Sequence, residues 1–116
     1  MKFRNIISSF ASKVVPERKV YWMKEKGGSK ILLVAVIPEP TEWASSPDNS
    51  KKMADMAEGL VMQVAKDVAR KTDIVSSGVC MGGNGNGFVS ATGIADVMWS
   101  PEIEMRLATS GIARVR

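Results

Sequence analysis

The chain contains no histidine and a single cysteine, Cys80. Without histidine the commonest general base and a principal metal ligand are missing together, and one cysteine permits no disulfide within the chain. A Ser-His-Asp triad or a Cys-His pair cannot form, and Cys80 would need a lysine or a helix terminus to become a thiolate. No lysine lies beyond Lys71. The glycine-rich stretch from Gly78 to Gly93 therefore cannot be a P-loop, whose closing lysine and hydroxyl serve the phosphates and magnesium. A dinucleotide fingerprint fails as well, because Phe88 or Ser90 stands where the third glycine belongs. No lysine has a serine three positions before it, so a Ser-x-x-Lys dyad is absent.

Two groups of acids, Glu39, Glu42 and Asp48 and then Asp96, Glu102 and Glu104, lack any recognisable metal-ligand spacing. Nothing calls for a cofactor or a metal, and a protein that binds without catalysing is expected. Long apolar runs are also missing. The longest, Ile31 to Ile37, is far short of a membrane span, so no integral membrane association is expected. Met1 to Val15 is basic and free of acids, but Ser8, Ser9 and Ser12 interrupt its apolar positions, which argues against a secretory signal. Together with the lone cysteine this points to the cytoplasm.

What is present suits one folded unit. With 116 residues, 45% of them hydrophobic, the chain can close one core without disulfides, and residues 1–116 are expected to form one α+β domain. Its net charge of +4 is unevenly spread. From Met1 to Lys30 eight bases face two acids, a local balance of +6, whereas Ile31 to Asp73 carries five bases and seven acids. A concentrated basic segment favours anionic partners.

Phe3, Ile6, Ile7, Phe10 and Val14 recur at helical spacing and predict an amphipathic N-terminal helix that Pro16 ends. Lys19–Met23 and Lys30–Ile37 predict a β-hairpin around Gly27 and Gly28, and the second strand, apolar at every position from Ile31 to Ile37, needs cover on both faces. Pro38, Pro40 and Pro47 bound an expected loop. A long helix follows, capped by Ser46 or Asp48 and running to about Lys71, with Met53, Met56, Ala57, Leu60, Val61, Val64 and Val68 on its apolar face. Ile74–Met81 and Phe88–Trp99 predict a second hairpin, in which Val89, Ala91, Ala95, Val97 and Trp99 share the core face. Ser100-Pro101-Glu102 starts a last helix that buries Ile103, Leu107 and Met105 and stops at Gly111. The expected order is α-β-β-α-β-β-α: a four-stranded antiparallel sheet of two hairpins, with the long helix on one face and the terminal helices on the other.

Two functions fit this outline. Arg18, Lys19, Trp22, Lys24, Lys26 and Lys30 place bases around aromatic residues on the first hairpin, so DNA or RNA is the leading expected partner, with the N-terminal helix extending the surface. Trp22 and its neighbour Tyr21 point to opposite faces, so only one of them can meet a ligand. The alternative is a protein-binding regulator or inhibitor, or a homodimer, in which Ser76, Gly78, Ser90 and Thr92, with Cys80, form a flat surface of low bulk. The eight methionines suit adaptable contacts as well as core filling.

Overall fold

The computed structural model of the chain describes residues 18–83 and 86–115. The expected N-terminal helix lies outside the described residues. Strands β1 (Lys19–Lys24) and β2 (Lys30–Pro40) form the first hairpin, and β3 (Ile74–Gly83) and β4 (Phe88–Met98) the second. Between them run the one-turn helix α1 (Thr41–Ala44), the long helix α2 (Pro47–Val68) and a 3-10 turn (Lys71–Asp73). Helix α3 (Pro101–Thr109) and a two-residue strand β5 (Ala113–Arg114) close the chain. The sheet order is β3-β4-β2-β1-β5, so the two hairpins join through β2 and β4, which pair antiparallel over their full lengths.

Among the described residues this α+β sheet has five strands rather than four, and it is mixed. β5 pairs in parallel with β1, Ala113 opposite Tyr21 and Arg114 opposite Trp22. Two residues carry no strand pattern; they are held because the Val115 amide donates to the Trp22 carbonyl at 2.8 Å and the Arg114 guanidinium lies 4.8 Å from the Trp22 ring centre.

β2 is buried on both faces, as its unbroken apolar run requires. Ile31, Leu33, Ala35 and Ile37 meet α2, while Val34 and Val36, on the opposite face, are each 2% exposed. The strand continues through Pro38 and Pro40, which were expected in a loop. β1 accompanies β2 only as far as Val36, so among the described residues that extension pairs with β4 alone, and a missing amide can face the side away from β4.

Helix α2 starts with Pro47 at its first turn and buries Met53, Ala57, Val61, Ala65 and Val68. It ends three residues before Lys71, where Ala69 turns extended and Arg106 Nη1 donates to the freed Val68 carbonyl at 3.0 Å. That bond comes from α3, and it draws α3 onto the same face of the sheet as α2. Ile103 and Leu107 complete one cluster with Trp22, Ile31, Leu33, Ala65 and Val68. The expectation that the C-terminal helix would cover the opposite face is thus corrected. Met105, expected in the core, is 68% exposed. Ser100 caps α3 by accepting from the Ile103 amide, and Gly111, at φ +82°, takes the left-handed conformation that stops it.

Helix α2 comes close against the sheet at Gly93 in β4. A Cβ there would lie 2.7 Å from the Ala57 carbonyl carbon and closer still to its oxygen, both rigid backbone atoms. Ala35, opposite Gly93 on β2, and Ala91 and Ala95 along β4 keep the rest of this seat low. Gly59, on α2, has open space around it. We expect Gly93→Ala to destabilise the fold by about 3 kcal/mol or more, because α2 would have to lift off the sheet. Gly59→Ala should stabilise it by about 1 kcal/mol through helix propensity. Urea unfolding of the two variants checks both signs.

Candidate functional site

The six residues expected to bind nucleic acid do not form one surface. Arg18 and Lys19 precede or begin β1, whereas Lys24, Lys26 and Lys30 surround its far end and the following turn. The length of β1, roughly 17 Å at strand rise, separates the two sets. Trp22 points into the core at 2% exposure, and its Nε1 has no hydrogen-bond partner among the described residues. Its ring is therefore closed to stacking from outside. Tyr21, on the other face, is half-buried, and burial pushes its phenol above the usual tyrosine value.

An aromatic that the first hairpin does not itself carry stands beside Lys24. Trp99 is 38% exposed, its amide donates to the Ser29 carbonyl at 2.8 Å, and Lys24 Nζ lies 5.1 Å from its ring centre. Strand periodicity assigns Trp99 to the core face, but β4 stops at Met98 and α2 stops at Val68, so the cover runs out one step before it. Trp99 Nε1 donates to Glu104 Oε1 at 3.2 Å. Acids intersperse the bases at this end: Glu25 and Asp96 line, with Lys24, Lys30, Met23 and Leu32, an open cleft of about 650 Å³.

The expected low-bulk protein surface is assembled by the second hairpin. The β3–β4 register sets Ser76 opposite Asp96, Gly78 opposite Ile94, Cys80 opposite Thr92 and Gly82 opposite Ser90, all on the face away from α2. Ser76 Oγ donates to Asp96 Oδ2 at 3.0 Å, and Thr92 is half-buried. Ser90 departs from the expected role: it is 7% exposed, so little of it can meet a partner, and its hydroxyl is unpaired among the described residues.

The free side of β3 is the more distinctive feature, and the residue-by-residue reading of a face did not single it out. Among the described residues β3 ends the sheet and hydrogen-bonds only to β4. Edge strands normally carry lysine, proline or a bulge that discourages pairing with another chain. From Ile74 to Gly83 there is no charge and no proline, and the one irregularity falls at the start, between Ile74 and Ser76. Val75, Val79, Cys80 and Met81 are exposed along it. A cleft of about 320 Å³ opens beside its first half, between Ser77 and the α2 residues Met62 and Lys66. The opposite edge, β5, offers two residues.

Among the described residues no three of Cys, Asp or Glu gather closely enough to hold a metal ion, and no helix is long and apolar enough to cross a membrane. The two acid groups read from the sequence are therefore not brought together as ligand sets. Because the Ser90 hydroxyl is buried without a partner, Ser90→Ala should leave stability unchanged or raise it by up to about 1 kcal/mol, read from the urea midpoint. Family models, curated proteins and solved structures all gave no match to this chain.

Proposed function

We infer that the protein is a non-catalytic binding module whose protein partner adds a strand to the free edge of β3. The observation that carries this reading is the ten-residue edge strand Ile74–Gly83, free of charge and proline, with Val75, Val79 and Met81 exposed beside its open backbone groups. Main-chain hydrogen bonds supply affinity in such additions, and alternate side chains select the partner. A regulator or inhibitor works this way when the strand it captures is one its partner needs elsewhere.

Amide hydrogen exchange in dilute protein tests it, with an excess of an uncharged ten-residue peptide of alternating threonine and valine as the probe. Outward-facing β3 amides should exchange freely alone and become protected with the peptide. Val79→Lys should abolish that protection. Amides that exchange freely in dilute protein and stay unprotected in the peptide's presence would contradict the reading.

A second reading concerns nucleic acid, and the pairing of Lys24 with the exposed Trp99 ring favours it, with Lys26 and Lys30 exposed in and after the adjoining turn. Lysines neutralise phosphates and an exposed indole stacks on an unpaired base. Single-stranded DNA or RNA should then quench Trp99 emission with an affinity that falls steeply as salt rises. Replacing Lys24, Lys26 and Lys30 by alanine should weaken binding at least about tenfold. Unchanged emission and anisotropy with both nucleic acids at low salt would exclude it.

A further inference from the structure

We propose that the strand added to β3 is β3 of a second copy of this chain, antiparallel, with the two-fold axis at Val79. The proposal rests on the strand-addition reading and names its occupant. Self-complementarity argues for it. The β3–β4 register places Ser77, Val79 and Met81 on the α2 face and Ser76, Gly78, Cys80 and Gly82 on the other. An axis at Val79 sets Met81 against the partner's Ser77, Cys80 against the partner's Gly78 and Ser76 against the partner's Gly82.

Away from the axis, each bulkier side chain then meets a smaller one. Gly78 and Gly82 have nothing within 4 Å of the position a Cβ would take, so the space their neighbours require is open. Because Met81 then stands against the partner's Ser77, it would reach the partner copy's cleft of about 320 Å³, which Ser77, Met62 and Lys66 line in each chain. Only Val79 meets its own kind, as an apolar pair on the axis.

Charge is consistent with the same arrangement. β3 has none, so two copies approach without repulsion along the strand. On α2, Asp55 lies seven residues before Met62 and so on the stripe that also bears Lys66. The two-fold runs the two stripes in opposite directions and puts Asp55 on the side of the partner's Lys66. Pairing also closes. It consumes the long free edge, and β5 is too short to continue the sheet, so the assembly stops at two copies.

The lone cysteine makes the test specific, since any thiol cross-link between chains must join Cys80 to Cys80. In this register the two Cys80 residues are diagonal neighbours, with Cα atoms about 7–8 Å apart. That is too far for a ready disulfide and within reach of a bis-maleimide with a two-carbon spacer. The wild type should sediment as a dimer and cross-link with that reagent. Val79→Lys should raise the monomer–dimer midpoint at least about 100-fold by placing like charges on the axis, with an unchanged circular dichroism spectrum.

V79C combined with C80A puts two thiols opposite each other on the axis, and should give a disulfide-linked dimer under mild oxidation. A wild type that stays monomeric up to its solubility limit, while its β3 amides gain protection from the threonine–valine peptide, overturns self-pairing and leaves strand addition standing. A monomer that the peptide also fails to protect overturns both. A dimer that forms neither the Cys80 cross-link nor the V79C disulfide uses another surface, and overturns the proposal as well.

Discussion

The seat of α2 on the sheet at Gly93 is the contact on which the rest of the fold depends. Because no Cβ intervenes, the Ala57 carbonyl reaches the β4 backbone, and Ala35, Ala91 and Ala95 let the helix lie low along its length. A helix held that close fixes the register between the two hairpins, since β2 and β4 must present their small residues beneath it together. It also fixes where the cover ends. Beyond Val68 the sheet would be bare, and α3 fills the gap by supplying Ile103 and Leu107 to the core and Arg106 to the last carbonyl of α2. The C-terminal strand follows from that placement, because a chain leaving α3 on this face arrives beside β1.

Much of this order was legible in the sequence, for a physical reason. An unbroken apolar run such as Ile31–Ile37 has one stable fate, a strand covered on both sides, and the period-two pattern of Ala91, Ala95 and Val97 marks a core face independently of context. Patterns that depend on a neighbour's endpoint were not legible. Trp99 keeps the core parity of β4, yet it is exposed because α2 stops short of it. Ile103 and Leu107 announce an apolar stripe without saying which face of the sheet receives it. Two residues of β5 contain too little pattern to be read at all.

The candidate sites divide in the same way. Counting bases along the first hairpin identified Lys24, Lys26 and Lys30, but charge along a chain carries no information about carboxylates that the fold brings alongside. Asp96, from β4, lines one cleft with Lys24 and Lys30, and Glu104, from α3, bonds the Trp99 indole that Lys24 covers. Trp22, expected on the surface, is instead the aromatic centre of the core between Arg114 and α3. The low-bulk residues of the second hairpin do share one face, as their spacing implies. The unprotected edge beside them is visible only once the sheet order is known, because any of several strands could have been outermost.

Recognition by the backbone at the β3 edge is the mode of action proposed for this chain. The direct measurement is an isotope-filtered NOE experiment on an equal mixture of labelled and unlabelled protein. Contacts between chains from Ser77 protons to Met81 protons, and from Val79 to Val79, are the expected result. Intermolecular contacts confined to any other surface, or none at all while β3 amides exchange freely at high concentration, would contradict it.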